Sequence, residues 1–161
     1  DGLASGISII VLFSLLLISL KINQFELSLI MSSLIGSLLA FLKFNYFPAK
    51  ILMGDCGSYL LGSSLSIFSI LIAKNTSFIT PQSVIAEIPI LSLGILIIDM
   101  TYVIFNRILN GRSPFFPDKS HLHHRLLNFG FSQKNVVNII YLLFIFTSSM
   151  TVIYTYGLIK K

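Results

Sequence analysis

All three histidines of the chain, His121, His123 and His124, fall within four consecutive positions. Arg107, Arg112, Asp118, Lys119 and Arg125 surround them, together with the turn residues Gly111, Pro114 and Pro117. Imidazole can move protons near neutral pH, ligate metals or contact phosphate. Guanidinium forks match phosphate oxygens. The bland alternative is a solvated basic loop that only sets topology. A structural zinc site does not fit, because no cysteine is near and the spacing is not that of a helical pair with a third ligand. A second candidate is Pro48-Ala49-Lys50-Ile51-Leu52-Met53-Gly54-Asp55-Cys56-Gly57-Ser58, where two glycines bracket an acid at the start of an apolar run. Glycine lets backbone approach a ligand, and a helix start offers free N–H groups. Asp55 could hold a hard cation such as Mg²⁺, which takes one or two carboxylates plus phosphate oxygens; otherwise it simply caps the helix. Glu87 and Asp99 are a third candidate, being acids inside an apolar run. Such acids are functional suspects, with snorkelling or a helix–helix hydrogen bond as the alternative.

The elements that must position these residues follow from composition. Of 161 residues, 55% are hydrophobic and 11% charged, and the mean hydropathy is +0.89. A soluble domain carries about 25% charged residues, so this chain faces lipid. Disorder is excluded by the abundance of Ile, Leu and Phe. The single Cys56 allows no internal disulfide. Long uncharged runs predict five transmembrane helices: Leu3 to Leu20, Leu27 to Leu42, Gly57 to Ala73, Val84 to Phe105 and Val136 to Tyr156. Helices are required because only they satisfy their own backbone groups in lipid. The second and third runs are near the short limit, so thinning of the bilayer or partner helices is expected to help them. No basic region precedes the first run, so it is not a signal peptide. The fold class expected is all-α, a polytopic transmembrane bundle.

Five spans sort the connections onto two faces. One carries Lys43, Lys50, Arg107, Arg112, Lys119, Arg125 and Lys134; the other carries Lys21, Lys74, Lys160 and Lys161. The positive-inside rule makes the first face cytoplasmic. That face also holds every histidine and the acids Asp1, Asp55 and Asp118. Chemistry is therefore expected at the cytoplasmic surface, centred on a loop over 106–134, which argues against a transporter with midplane sites. The net charge of +5 is divided among loops and forms no groove-length stripe, so nucleic acid is not an expected partner.

Together these segments resemble the polyprenyl-phosphate N-acetylhexosamine-1-phosphate transferases of bacterial cell-wall and surface-glycan synthesis. Asp1-Gly2-Leu3-Ala4-Ser5-Gly6 is similar to the second half of that family's tandem Asp-Gly-Leu motif. Pro48 to Gly62 is similar to its Pro-Ala-x-x-Phe-Met-Gly-Asp-Ser/Thr-Gly-Ser motif, with Leu52 in place of an aromatic and Cys56 in place of Ser or Thr. Gly111 to Arg125 resembles Gly-x-Ser-Pro-Phe-x-x-Asp-x-x-His-x-His-His, the most specific of the three. The resemblance implies transfer of an N-acetylhexosamine 1-phosphate from a UDP-sugar to a polyprenyl phosphate in the plasma membrane, with release of UMP. It implies Asp55 as a catalytic residue and Mg²⁺ ligand (Mn²⁺ as a substitute), with Asp1 and Asn45 contacting the uridine. Arg107 and Arg112 would contact the diphosphate or sugar phosphate. His121, His123 and His124 would form the active-site loop, His121 foremost in phosphate stabilisation or proton handling. The Leu122 interruption of the histidine run resembles the UDP-N-acetylglucosamine branch rather than the muramoyl-pentapeptide branch. Residues 1–161 correspond to the C-terminal half of a family member. The family's aspartate pair and first tandem Asp are absent, so this piece alone is expected to be inactive. The alternative is a non-catalytic remnant or interaction subunit that keeps the fold.

Overall fold

A computed structural model describes residues 1–76, 87–114 and 120–159. It contains six helices among the described residues: α1 (Leu3–Lys21), α2 (Phe25–Asn45), α3 (Gly54–Thr76), α4 (Glu87–Leu109), α5 (Leu122–Asn128) and α6 (Gln133–Ile159). Five are long and apolar enough to cross a membrane, and no strand occurs among the described residues. The protein is an all-α polytopic bundle.

Each long helix outruns its uncharged core. α2 has 21 residues and α3 has 23, lengths of about 31 Å and about 34 Å at 1.5 Å per residue. Both short apolar runs thus sit inside longer helices. A charged residue ends an apolar run but not a helix. Lys43 and Lys74 lie in last turns, and Glu26 and Asp55 in first turns, where each charge suits the end of the helix dipole. Similarly, the connection between α4 and α6 is shorter than the 106–134 loop expected. Its ends belong to α4 and α6, and it contains α5. The start of the fourth predicted run, 84–86, lies outside the described residues.

α1 is the central helix. It packs against α2, α3 and α6, while α4 packs on α3 and α6. Its mean hydropathy of 2.6 is the highest of the five, and more than half of its apolar window is buried against protein. Val11, Leu12, Leu15 and Ile18 are fully buried. Buried serines let neighbours approach closely, as small residues do in membranes. The hydroxyls of Ser19 in α1 and Ser28 in α2 lie 2.6 Å apart. Gly6 faces α6 so closely that the Tyr141 ring fills the place of a Cβ, and the Tyr141 hydroxyl donates to the Gly2 carbonyl at 2.6 Å. At the opposite end, Tyr156 donates to the Leu17 carbonyl at 3.1 Å. There Tyr154 of α6 also donates to the Glu87 carboxylate, so the Glu87 acid makes a helix–helix hydrogen bond. The antiparallel order of α1, α2, α3, α4 and α6 gathers the start of α1, the end of α2, the start of α3, the end of α4, α5 and the start of α6 at one end.

Candidate active site

Asn45 organises the first part of this end. It is buried at the last position of α2. Its Oδ1 accepts from the Gly2 N–H and the Ser5 hydroxyl, each at 3.1 Å, and its Nδ2 donates to the Ile51 carbonyl at 2.9 Å. One amide therefore ties the start of α1 to the connection over 46–53. The Ala49 N–H donates to Asp1 Oδ2 at 3.2 Å, and the Lys134 ammonium sits 5.5 Å from the Phe47 ring centroid. Asp1 is exposed and keeps carboxylate lone pairs for a ligand. Asn45 lies behind that surface with both ends of its amide engaged. The geometry thus makes it a brace for the α1 start beside Asp1.

The 46–53 connection delivers Asp55. Gly54 has φ +67°, a left-handed conformation that glycine enters without steric cost, and α3 starts there. Asp55 is exposed in the first turn. Its carboxylate caps no N–H and has no hydrogen-bond or ion-pair partner among the described residues. Capping therefore does not account for this acid. Cys56 beside it is exposed, and so is Leu52, the residue in the place of the family's aromatic.

The histidines lie on and just before α5. A helix of seven residues is unstable alone, so tertiary contacts hold it. Leu122 and Leu126 pack on the apolar core, and the Arg125 guanidinium lies 4.5 Å from the Tyr102 ring centroid of α4. Asp99 of α4 accepts from the Leu122 N–H at 2.7 Å and meets His121 Nδ1 at 2.9 Å. The His121 and His123 rings stack at 5.8 Å between centroids, and the His123 and His124 rings tilt together at 4.2 Å. Arg107 is half-buried and donates to the Pro114 carbonyl, so it shapes the start of the loop. Arg112 is exposed. Asp118 and Lys119 lie outside the described residues.

Burial holds the His123 pKa below its ordinary 6.5, helped by repulsion from His124 and then His121, with Asp99 acting the other way. The sign follows from linkage. Below pH 6.5 the unfolded chain takes up a proton that folded His123 resists, so stability falls as pH drops through the folded value. Between about pH 7 and about pH 5, the thermal midpoint in detergent should fall more steeply for the wild type than for His123→Gln. Parallel curves would show that the fold does not hold His123 neutral.

Among the described residues no three His, Cys, Asp or Glu side chains converge as a metal cluster. A lone exposed carboxylate fits a hard cation whose other ligands are water and phosphate oxygens. Asp99 was visible in the sequence as an acid within a span. Its link to His121, 22 positions away, was not, since nothing in periodicity connects the two segments.

A polytopic bundle with acids, arginines and histidines collected at its helix ends defines a membrane protein with a polar site at the bilayer surface. A family model described as Glycosyl transferase family 4 matches residues 1–73. A Bacillus subtilis (strain 168) protein named "Probable undecaprenyl-phosphate N-acetylglucosaminyl 1-phosphate transferase" is 45% identical over 157 residues, covering 95% of this chain and 42% of that protein. The decaprenyl-phosphate N-acetylglucosaminephosphotransferase of Mycobacterium leprae (strain TN) is 34% identical over 88% of this chain and 39% of its own length. A phospho-N-acetylmuramoyl-pentapeptide-transferase of Clostridium beijerinckii is 34% identical over 86% of this chain and 40% of its own. No solved structure matches. Over the matched region the chain is similar to Glycosyl transferase family 4 and to polyprenyl-phosphate N-acetylglucosamine-1-phosphate transferases. It spans about two-fifths of the length of these relatives.

Proposed function

We propose that this chain forms part of an enzyme that transfers N-acetylglucosamine 1-phosphate from UDP-N-acetylglucosamine to a polyprenyl phosphate. The setting is the cytoplasmic face of a bacterial plasma membrane, and the step begins a cell-wall or surface polysaccharide. A phosphate oxygen of the lipid attacks the β-phosphorus of the nucleotide sugar. The bond from that phosphorus to the bridging oxygen breaks, and UMP leaves with the electron pair. The observation that carries this reading is the gathering at one end of Asp1, the unpartnered carboxylate of Asp55 and the three histidines, in a chain whose relatives bear the names above. Among the described residues Lys43, Lys50, Arg107, Arg112, Arg125 and Lys134 share that end, which supports its cytoplasmic side.

In this reading Asp55 holds Mg²⁺, or Mn²⁺ in its place. Such an ion, when bound, offsets the charge that develops on diphosphate oxygens. The exposed Arg112 takes a phosphate, and Arg107 orders the loop that presents it. Asp1 faces the uridine and is held there by Asn45. His121 contacts the reacting phosphates, and neutral His123 supports it. The connection over 110–132 works as the active-site loop.

The test is product formation by the full-length protein in lipid. With UDP-N-acetylglucosamine, undecaprenyl phosphate and Mg²⁺, it should yield polyprenyl-diphospho-N-acetylglucosamine and UMP in equal amounts. No product with this donor, or release of UDP in place of UMP, sinks the proposal. Residues 1–161 alone are expected to be inactive, because the described residues supply at this end the exposed carboxylates of Asp1 and Asp55 and no three-ligand cluster. Turnover by the 161-residue protein in nanodiscs would overturn that expectation.

A further inference from the structure

We propose that Asp99 is the positioning residue of His121, fixing both the place of the ring and the nitrogen that faces the substrate. The inference rests on the reading that His121 acts on the reacting phosphates. Asp99 sits in α4, ten positions before its last residue. An acid there is costly unless it is paired, and both of its carboxylate oxygens are engaged. Oδ2 lies 2.9 Å from His121 Nδ1, and Oδ1 accepts the Leu122 N–H at 2.7 Å. These are lengths expected of charge-assisted hydrogen bonds. An ionised carboxylate only accepts, so Nδ1 carries the hydrogen and the neutral ring leaves Nε2 as the acceptor. Nε2 has no partner among the described residues.

The second bond makes this more than a side-chain contact. By holding the N–H of Leu122, the same carboxylate fixes the backbone adjoining His121, so the ring is located through its main chain and its Nδ1 together. α5 cannot supply that rigidity itself, having seven residues. Arg125 over Tyr102 and the apolar packing of Leu122 and Leu126 complete the docking of α5. A protein that needed only to dock α5 would be served by the Leu122 N–H bond alone. The bond to Nδ1 adds control of the tautomer, as a buried carboxylate does for a catalytic histidine.

Asparagine separates docking from positioning. In Asp99→Asn the amide oxygen still accepts the Leu122 N–H, so α5 stays docked. The amide NH₂ then faces Nδ1, which becomes the acceptor and moves the ring proton to Nε2. In the full-length protein in lipid, with UDP-N-acetylglucosamine, undecaprenyl phosphate and Mg²⁺, Asp99→Asn should lower kcat about 10²-fold with KM for the nucleotide sugar unchanged within about twofold. His121→Ala should lower kcat at least as far, and the double variant should be no slower than His121→Ala alone, because the two residues act as a unit. Near-normal kcat in Asp99→Asn beside a slow His121→Ala overturns the proposal, as do losses that multiply in the double variant. A normal rate in His121→Ala overturns instead the reading on which the proposal rests. A second measurement does not depend on any variant folding. ¹⁵N spectra of histidine-labelled wild type should show His121 protonated at Nδ1 and bare at Nε2, and the opposite tautomer overturns the proposal.

Discussion

Asp55→Asn in the full-length protein should reduce kcat about 10²- to 10³-fold, the loss seen when one electrostatic stabiliser of a transition state is removed. Stability should barely change. The argument has two parts. First, the carboxylate is exposed and has no partner among the described residues, so asparagine breaks no internal bond. The exchange removes only a favourable charge from the first turn of α3, worth about 0.3–1 kcal/mol. Second, an amide oxygen is a poor ligand for a hard cation compared with a carboxylate. The variant should therefore need more Mg²⁺ for its residual rate, and the activating Mg²⁺ concentration should rise while the thermal midpoint stays close to that of the wild type. A variant that turns over normally at ordinary Mg²⁺ removes Asp55 from metal binding. A variant that loses stability by several kcal/mol shows that the carboxylate has a structural partner after all.

The contrast between Asp55 and Asn45 shows how far the sequence carries. Asp55 lies in a segment that resembles a family motif and Asn45 three positions before that segment, and the resemblance implied a site role for both. The acid is exposed and open to a ligand. The amide is buried, and its bracing of Gly2 and Ser5, 43 and 40 positions away, is a tertiary event that no local pattern encodes. The five spans were legible because lipid allows one solution, a helix long enough to cross. Their ends were not, since the apolar run stops at the first Lys or Arg while the helix continues into the headgroup region. α5 escaped notice for the opposite reason. Seven residues carry too little periodicity to register, and its stability comes from Asp99, Tyr102 and the apolar core. Asp99 and Glu87 fall toward opposite ends of one apolar run in the sequence, but their partners do not show there: Glu87 meets Tyr154 at the end away from the histidines, while Asp99 reaches the histidine segment.

The largest structural effect is expected at Gly6. A Cβ on Gly6 would lie 2.0 Å from the Tyr141 hydroxyl oxygen, 2.1 Å from Cζ and 2.5 Å from Cε1, distances at which atoms overlap. The glycine is thus explained by the tyrosine opposite, and not by backbone conformation, since Gly6 lies inside α1. Tyr141 can leave only by swinging its ring out from between α1 and α6, and it then loses the 2.6 Å bond to the Gly2 carbonyl. Gly6→Ala should cost about 1–3 kcal/mol from overpacking, even though alanine is intrinsically the better helix former by about 1 kcal/mol. Tyr141→Phe keeps the ring and loses one hydrogen bond, so it should cost only about 1 kcal/mol. The pair can be tested by a double-mutant cycle on unfolding in mixed micelles. Tyr141→Ala opens the space that the new methyl group needs, so adding Gly6→Ala to it should cost almost nothing, and the coupling should exceed about 1 kcal/mol. Additive losses would mean that the ring does not occupy the slot left by Gly6. The effect should reach the site as well. Gly2 sits between Asp1 and the α1 start, its N–H on Asn45 and its carbonyl on Tyr141. Displacing Tyr141 removes one of three donors to the Gly2 carbonyl, leaving the Gly6 N–H and the Ser5 hydroxyl, so KM for the nucleotide sugar should rise modestly in Gly6→Ala and stay raised in any variant that lacks the Tyr141 hydroxyl.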